Sequence, residues 1–507
     1  MLKKTLISII FDSKLIYSIF LIYFILSLVT LNMWDAYNFD FAFSRNNLDG
    51  LNLWAIEHSH RCYLLLINTL FFLKTKLNLS NELLFDIFNF SSLIFYISQI
   101  RIMGKIYFNL KKKWLNLLSV ILLVLPIWEG FTSLPLGFYL FFFGISLLGF
   151  RFYFYTNNNL KKYFGLILII GSLCVQSNSA IILGLMICTI IKSKYNKILI
   201  LNSLFIFIVI VSIFLIRQFY FPAYNFWENY NEIKIIYLSP QYLIKNLFNY
   251  STFYLYFSWV IFFYIYLNFK SKYKKKLLSK NDLIIILILF ISSVGPYLLI
   301  NKSTDIFAWK DYLGRHAYLM SISFAFFFTL LFKKIFEIDQ NSRKKLFLIC
   351  VTIFLFQGLF TQFSKFYFKI EATVFQKSFV DNLKKFKKPK SGLIQFKTFE
   401  GIKFNDRDES DYLPGHRIRN HEISVLFYKA YGEASWLFYV PKSKNKKPLN
   451  FNKYKTLFNA DEFDINSKCK IEVFFSKNLS YYERIKFLYI FNSNKYYNIK
   501  KIHTNCS

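Results

Sequence analysis

Apolar residues in this chain gather into long blocks, near residues 15–33, 84–104, 115–131, 136–155, 163–176, 179–191, 197–216, 251–268, 283–300, 316–332 and 346–362. Most approach the roughly 20 residues that a helix needs to cross the hydrocarbon core of a bilayer. The fifth and sixth are the shortest. The pattern predicts an all-α polytopic membrane protein with about eleven transmembrane helices. Cys62 to Leu73 is apolar but too short to cross, and reads as a helix lying in the membrane interface.

No further block follows residue 362. Lys384, Lys385, Lys387, Lys388, Pro389 and Lys390 read as a basic linker. Beyond it Ile423–Tyr428 and Lys470–Phe475 alternate as strands do, which predicts a C-terminal α+β extramembrane domain. The expected organisation is a transmembrane domain over 1–362 with a large first outer loop at 34–83. A linker follows over 363–390 and a C-terminal domain over 391–507.

Charge gives this layout a direction. With the N-terminus inside, the inner loops 105–114, 157–162, 192–197, 269–282 and 333–345 hold 20 Lys and Arg against three acids. The outer loops 34–61, 127–135, 217–250 and 301–315 hold 8 basic residues and 9 acids. Basic residues collect on the cytoplasmic side of membrane proteins, so the N-terminus is expected there, with the tail domain extracytoplasmic. The net charge of +34 then belongs to cytoplasmic loops and to a general Lys, Asn, Ile, Phe and Tyr enrichment; no nucleic-acid partner is expected.

The six cysteines show no metal-ligand spacing. Cys174, Cys188 and Cys350 fall in apolar segments and read as small core residues, whereas Cys469 and Cys506 can pair in an oxidising compartment. Lys3 and Lys4 precede an apolar block without a small-x-small cleavage site, so residues 15–33 read as a retained anchor.

Ionisable residues at the membrane boundary are the candidates for chemistry. Asp35 directly follows the first block, and Asp40, Asp49 and Glu57 share its loop. Glu57-His58-Ser59-His60-Arg61 leads into the interfacial segment. Asp35 suits a general base and equally suits a helix cap; Asp40 and Asp49 read more simply as solvated loop charges. His58 and His60 lack a third ligand, so no metal is expected. A second cluster holds Lys302, Asp305, Lys310, Asp311, Arg315 and His316, after a helix that Gly295-Pro296-Tyr297 is expected to break. Arg315-His316 opening a helix can meet a phosphate with side chains and free N–H groups together, although a snorkelling interfacial Arg has the same pattern. Glu129 and the polar gap Gln176–Ser179 read as turns.

This order of features resembles the GT-C superfamily of membrane glycosyltransferases, which use polyprenyl-phosphate-linked sugars, and related uncharacterised membrane proteins found among surface-polysaccharide genes. It comprises an N-in first helix, an acidic first loop opening on Asp35, the Glu57-to-Arg61 stretch and Arg315-His316 late in the chain. The family often carries two adjacent acids where Trp34-Asp35-Ala36 has one. The resemblance implies a glycosyltransferase or polymerase of cell-envelope polysaccharide or glycolipid assembly, in the bacterial inner (plasma) membrane, with no cofactor. Its partners would be a lipid-linked sugar donor, a glycan or lipid acceptor and the bilayer itself. Asp35 would deprotonate the acceptor, with Glu57 as the alternative carboxylate; Arg61, Lys302, Arg315 and His316 would hold the donor phosphate. A transporter or flippase for an anionic lipid or solute, and a non-catalytic assembly subunit, are the competing classes.

Overall fold

A computed structural model describes residues 2–29, 36–57, 61–125, 134–223, 239, 241, 278–299, 319–337 and 343–387, and in the tail 393–398, 411–413, 416–418, 420–432, 437–438, 470–477 and 497–505. The described residues are mostly helical. It divides into two compact units. The first comprises Met1–Phe24, Phe88–Phe131 and Leu136–Gln362; the second comprises Ile25–Ile87, Thr132–Pro135 and Phe363–Ser507.

Four helices among the described residues are long and apolar enough to cross a membrane: Asn81–Phe108, Gly137–Tyr155, Lys197–Tyr220 and Lys280–Tyr297. Shorter apolar helices cover Ser13–Leu28, Ser177–Lys192 and Phe347–Phe363. These apolar helices are compatible with an integral membrane protein, and Ile198, Leu201, Phe205, Ile208 and Phe214 are exposed along one of them. The expected block at 251–268 lies outside the described residues.

In the first unit the helices are α1 (Leu2–Phe11), most of α2 (Ser13–Val29), the greater part of α6 (Asn81–Phe108), α7 (Lys112–Val124), α8 (Leu134–Tyr155), α9 (Asn159–Ser172), α10 (Ser177–Lys192) and α11 (Lys197–Tyr220). Then come α12 (Lys280–Leu299), α13 (Met320–Glu337) and the first half of α14 (Arg343–Leu383). Small residues bring several of these backbones together. A Cβ on Gly149 of α8 would stand 2.7 Å from the Gly165 carbonyl of α9, and one on Gly358 of α14 would stand 2.4 Å from the Val124 carbonyl of α7. Such contacts are how helices associate where lipid is as apolar as their side chains.

α7 is buried from Trp114 to Val124, apart from the half-buried Leu115, and ends inside the bundle. Its terminal carbonyls need partners there. Tyr23 donates to Leu123 at 3.1 Å, and Gln362 to Leu125 at 2.6 Å. At the other end of α7, Lys113 lies over the rings of Phe336, Trp114 and Phe11, at 4.8, 5.2 and 5.8 Å from their centroids. Cys188 and Cys350 are buried free thiols, as expected. Cys174, expected in the same class, is instead disulfide-bonded, as is Cys62.

Two expected breaks are absent. α12 runs through Pro296 to Leu299. Proline removes only the bond to the Ser292 carbonyl, and this close to the helix end few bonds remain to be lost. α14 continues past residue 362 to Leu383, through most of the segment read as a linker.

The second unit holds α3 (Ala36–Ser44), α4 (Asp49–Glu57), α5 (Tyr63–Leu77), the start of α6, the far half of α14 and α15 (Asn420–Tyr431). Ile423–Tyr428, expected as a strand, lies inside α15. The overriding signals are a Glu in the first turn and Gly432 just past the end, at φ 76°, with its N–H 2.7 Å from the Tyr428 carbonyl. Strands are β1 (Leu393–Thr398), β2 (Asp411–Leu413), β3 (His416–Ile418), β4 (Leu437–Phe438), β5 (Lys470–Lys477) and β6 (Tyr497–Asn505). They form a sheet of order β4-β1-β5-β6 and a β2-β3 pair. β1 is parallel to β4 and β5, and β6 is antiparallel to β5.

Candidate functional site

The second unit brings the first loop and the C-terminal segment together around Asp40. α3 places Asp40 at a buried position, only 4% exposed. Lys429 of α15 reaches its Oδ2 at 2.5 Å and Glu82 at 3.7 Å. Asn81 Nδ2 donates to Asp40 Oδ1 at 2.8 Å, to its carbonyl at 3.2 Å and to Ser44 Oγ at 2.9 Å.

Local sequence explains why these groups meet. Ser80 accepts the Leu83 N–H at 3.3 Å and so caps α6, which sets Asn81 and Glu82 in its first turn. α3 ends where Asn46 adopts φ 53° and the Asn47 N–H reaches back to the Ala42 carbonyl at 3.1 Å. Lys74 of α5 donates to the Phe43 carbonyl and to Asn46 Oδ1, a cation at a helix C-terminus. Aromatic edges complete the packing: Phe43 on Phe71 and Phe85 at 5.4 Å each, Phe41 on Tyr428 at 5.0 Å, and Phe379 on Phe427 at 5.9 Å. Tyr431 donates to the Leu383 carbonyl at 2.8 Å.

The electrostatics follow from burial and pairing. Burial pulls the Lys429 ammonium down, but the Asp40 and Glu82 carboxylates outweigh it and its pKa ends above the ordinary lysine value. Lys74 goes the other way: desolvation lowers it, and the field of Asp40 offsets only part. Burial pushes the Tyr431 phenol up to about 12.

Both Asp40 carboxylate oxygens are engaged, one by an ammonium and one by an amide. A carboxylate held this way is a tether, with neither oxygen left open. Asp40 was expected as a solvated loop charge; it is instead a buried joint between two distant segments. Removing the ammonium alone would leave Asp40 buried and unpaired, at a cost on the order of 3 kcal/mol, the low end of the range because Lys429 is about a quarter exposed.

Of the residues expected to act chemically, Glu57 is the last residue of α4 and is buried. Arg61 is exposed, in the turn before α5. Asp35, Lys302, Arg315 and His316 lie outside the described residues, as do His58, His60 and Glu129. Asp49 opens α4, with its N–H held by Asn47 Oδ1 at 2.8 Å. Of Gln176–Ser179, read as a turn, Gln176 ends the turn and Ser177, Asn178 and Ser179 open α10. Among the described residues no three His, Cys, Asp or Glu converge as metal ligands. Lys429 is the residue that sequence reasoning missed, because its partners are in another part of the chain. No protein-family model matches the sequence, and neither curated proteins nor solved structures yield a match.

Proposed function

We propose that the chain is a membrane glycosyltransferase or polymerase acting on lipid-linked sugars at the extracytoplasmic face. The observation that carries this reading is the build of the second unit. The acidic first loop, which a simple transporter would need only as a connector, is folded as three helices and tied by Asp40 and Lys429 to the C-terminal segment. Asp40 is taken up by that tether, so Asp35 remains the proposed base, with buried Glu57 as its alternative. Arg61, Lys302, Arg315 and His316 are proposed to hold the departing phosphate, whose charge stabilisation would be the larger contribution in a water-poor site.

The layout proposed with it has eleven spans, a cytoplasmic N-terminus and an extracytoplasmic α+β tail, in a bacterial inner membrane. Two observations support it. α3 and α15 touch, so the first loop and the tail share one side and the chain between them crosses an even number of times, as ten later spans require. Cys62 in the first loop and Cys174 after α9 are disulfide-bonded, as thiols facing an oxidising compartment are. The interfacial helix is supported by α5, which buries Tyr63, Ile67 and Leu70 and exposes Leu65, Phe72 and Leu77.

The test is lipid-linked sugar turnover in membranes with and without the protein. Asp35→Asn should lower turnover by about 10²–10⁴-fold with insertion intact. Arg315→Lys should retain more activity than Arg315→Ala, because it keeps the charge while losing the bidentate fork. Full activity in Asp35→Asn moves the base to Glu57; full activity in both Asp35→Asn and Arg315→Ala removes this site altogether.

A further inference from the structure

α6 carries one stripe that is not buried, and the stripe ends in cations. Ser91, Ile94, Ser98, Arg101 and Lys105 recur at spacings of three and four along it. α2 runs antiparallel beside this stripe. Phe24 meets Phe90 edge-on, with centroids 5.1 Å apart, and Tyr17 lies within electrostatic range of Arg101. Lys105, one turn after Arg101, and Lys14, one turn before Tyr17, therefore lie toward the same end of the helix pair. Both lysines are exposed, as is Tyr17. Toward the other end Leu21 and Ile94 are exposed too, so an apolar track leads away from the basic end.

Arg101 holds a fixed charge that the described residues do not neutralise. Its guanidinium donates to Ser119 Oγ at 2.8 Å, Asn116 Oδ1 at 3.1 Å and the Leu115 carbonyl at 3.2 Å, all neutral groups of α7. Asn116 in turn donates to the Phe11 carbonyl at 2.8 Å, so α1 and α7 together set where the guanidinium stands. These three acceptors leave two of the five guanidinium N–H groups uncommitted. Among the described residues Arg101 has no carboxylate partner. Asp12, the acid nearest to Tyr17 in sequence, caps α2 by accepting the Lys14 N–H at 3.0 Å. Ionisable groups within spanning helices are costly and mark sites. Snorkelling accounts for one arginine about 10 Å inside the end of α6. It does not account for a phenol and two lysines within a turn of it, with no acid to match them.

We propose that the lipid-facing groove between α2 and α6 seats one anionic phospholipid. Its phosphate meets Arg101 and Tyr17, Lys105 and Lys14 stand at the headgroup, and an acyl chain follows Leu21 and Ile94. A guanidinium fork suits phosphate oxygens, and basic pockets between spanning helices are where anionic headgroups are held. The headgroup carries net negative charge because three cations await it without an acid; a zwitterionic headgroup brings a cation of its own. In the proposed layout this end of α2 and α6 is cytoplasmic, opposite to the sugar-transfer site. The seat uses none of that site's residues, so either can fail without the other.

Local lipid quenching tests it in the full-length chain reconstituted in vesicles. Cys188, Cys350, Cys469 and Cys506 are replaced by alanine, and Ile94→Cys carries a fluorophore. Brominated phosphatidylglycerol and brominated phosphatidylcholine are compared as quenchers at equal mole fraction. Phosphatidylglycerol should bind severalfold tighter at position 94, whereas at Ile208→Cys, an exposed position of α11, the two lipids should quench alike. Arg101→Gln should cut the preference about fivefold, the worth of one cation beside an anionic headgroup, and leave quenching by phosphatidylcholine unchanged. Lys105→Gln, which removes no hydrogen bond among the described residues, should cut it as well. Lys161→Gln, at the start of α9, should leave it intact. Equal quenching by the two lipids at position 94, or a full preference in Arg101→Gln, overturns the seat. If Arg101→Gln fails to fold, Lys105→Gln decides by the same criterion. Loss of the preference on adding inorganic phosphate, but not chloride at equal ionic strength, makes a soluble anion the occupant and overturns the lipid.

Discussion

The two units hold their helices together by different means. In the second unit charges meet at a buried joint: Asp40 meets Lys429 and Asn81, and Lys429 also faces Glu82. In the first unit the helices meet through small residues and neutral groups: Gly149 faces the Gly165 carbonyl, Gly358 the Val124 carbonyl, and Tyr96 the Ser321 hydroxyl. A buried ion pair is sensitive to the loss of one partner, which strands the other charge. A close backbone contact is sensitive to added volume. The contrast predicts that the joint breaks when a charge is removed and the bundle when a side chain is added.

The sharpest way to break the contrast is at the joint. Lys429→Met strands a buried carboxylate and should weaken loop–tail docking by about 3 kcal/mol, read as protease sensitivity of α15. Adding Asp40→Leu should recover most of that loss, since a buried ion pair and an apolar pair of similar size are often close in stability. No recovery would mean that Lys429 acts through Glu82 rather than Asp40. In the bundle, Gly149→Val forces a side chain onto the Gly165 carbonyl and should cost about 2 kcal/mol, read as a lowered melting temperature in detergent. A smaller effect belongs to Tyr431→Phe, which removes one bond to the Leu383 carbonyl and should cost about 1 kcal/mol.

The smallest expected effect is that of pH near neutrality. Lys429 has its pKa raised, so its contribution is full below 10.5 and is lost only as pH climbs through its higher folded value. The Tyr431 phenol, raised from 10.0 to about 12, likewise holds its protonated form. Docking should therefore be flat through neutral and mildly alkaline pH and fall only in strong alkali. A midpoint near neutrality would place the controlling group elsewhere.

How far the sequence reaches differs between the units for physical reasons. Apolar blocks at 84–104, 136–155, 197–216 and 283–300 coincide with α6, α8, α11 and α12, because crossing length and composition are local properties. Asn89, Ser92, Tyr96 and Gln99 of α6 are buried and recur three and four apart, but block hydrophobicity averages that spacing away. Asp40 could not be read at all: its burial depends on Lys429, contributed by the far end of the chain. Ile423–Tyr428 was misread because alternation was weighed without Gly432, which ends a helix there. The disulfide at Cys174 was hidden by its apolar neighbours. Of the candidate site, Glu57 and Arg61 are placed, whereas Asp35, Lys302, Arg315 and His316 fall outside the described residues.

The central claim is that the first loop and the C-terminal segment form one body on one side of the membrane. Phe41→Cys with Tyr428→Cys tests it most directly, because the two rings stand 5.0 Å apart between centroids in α3 and α15. In native membranes a short bis-thiol reagent should join the pair within one chain, and an impermeant reagent should reach both thiols from the extracytoplasmic side. Two thiols labelled from opposite faces, or labelled from the same face yet never joined, would contradict the account.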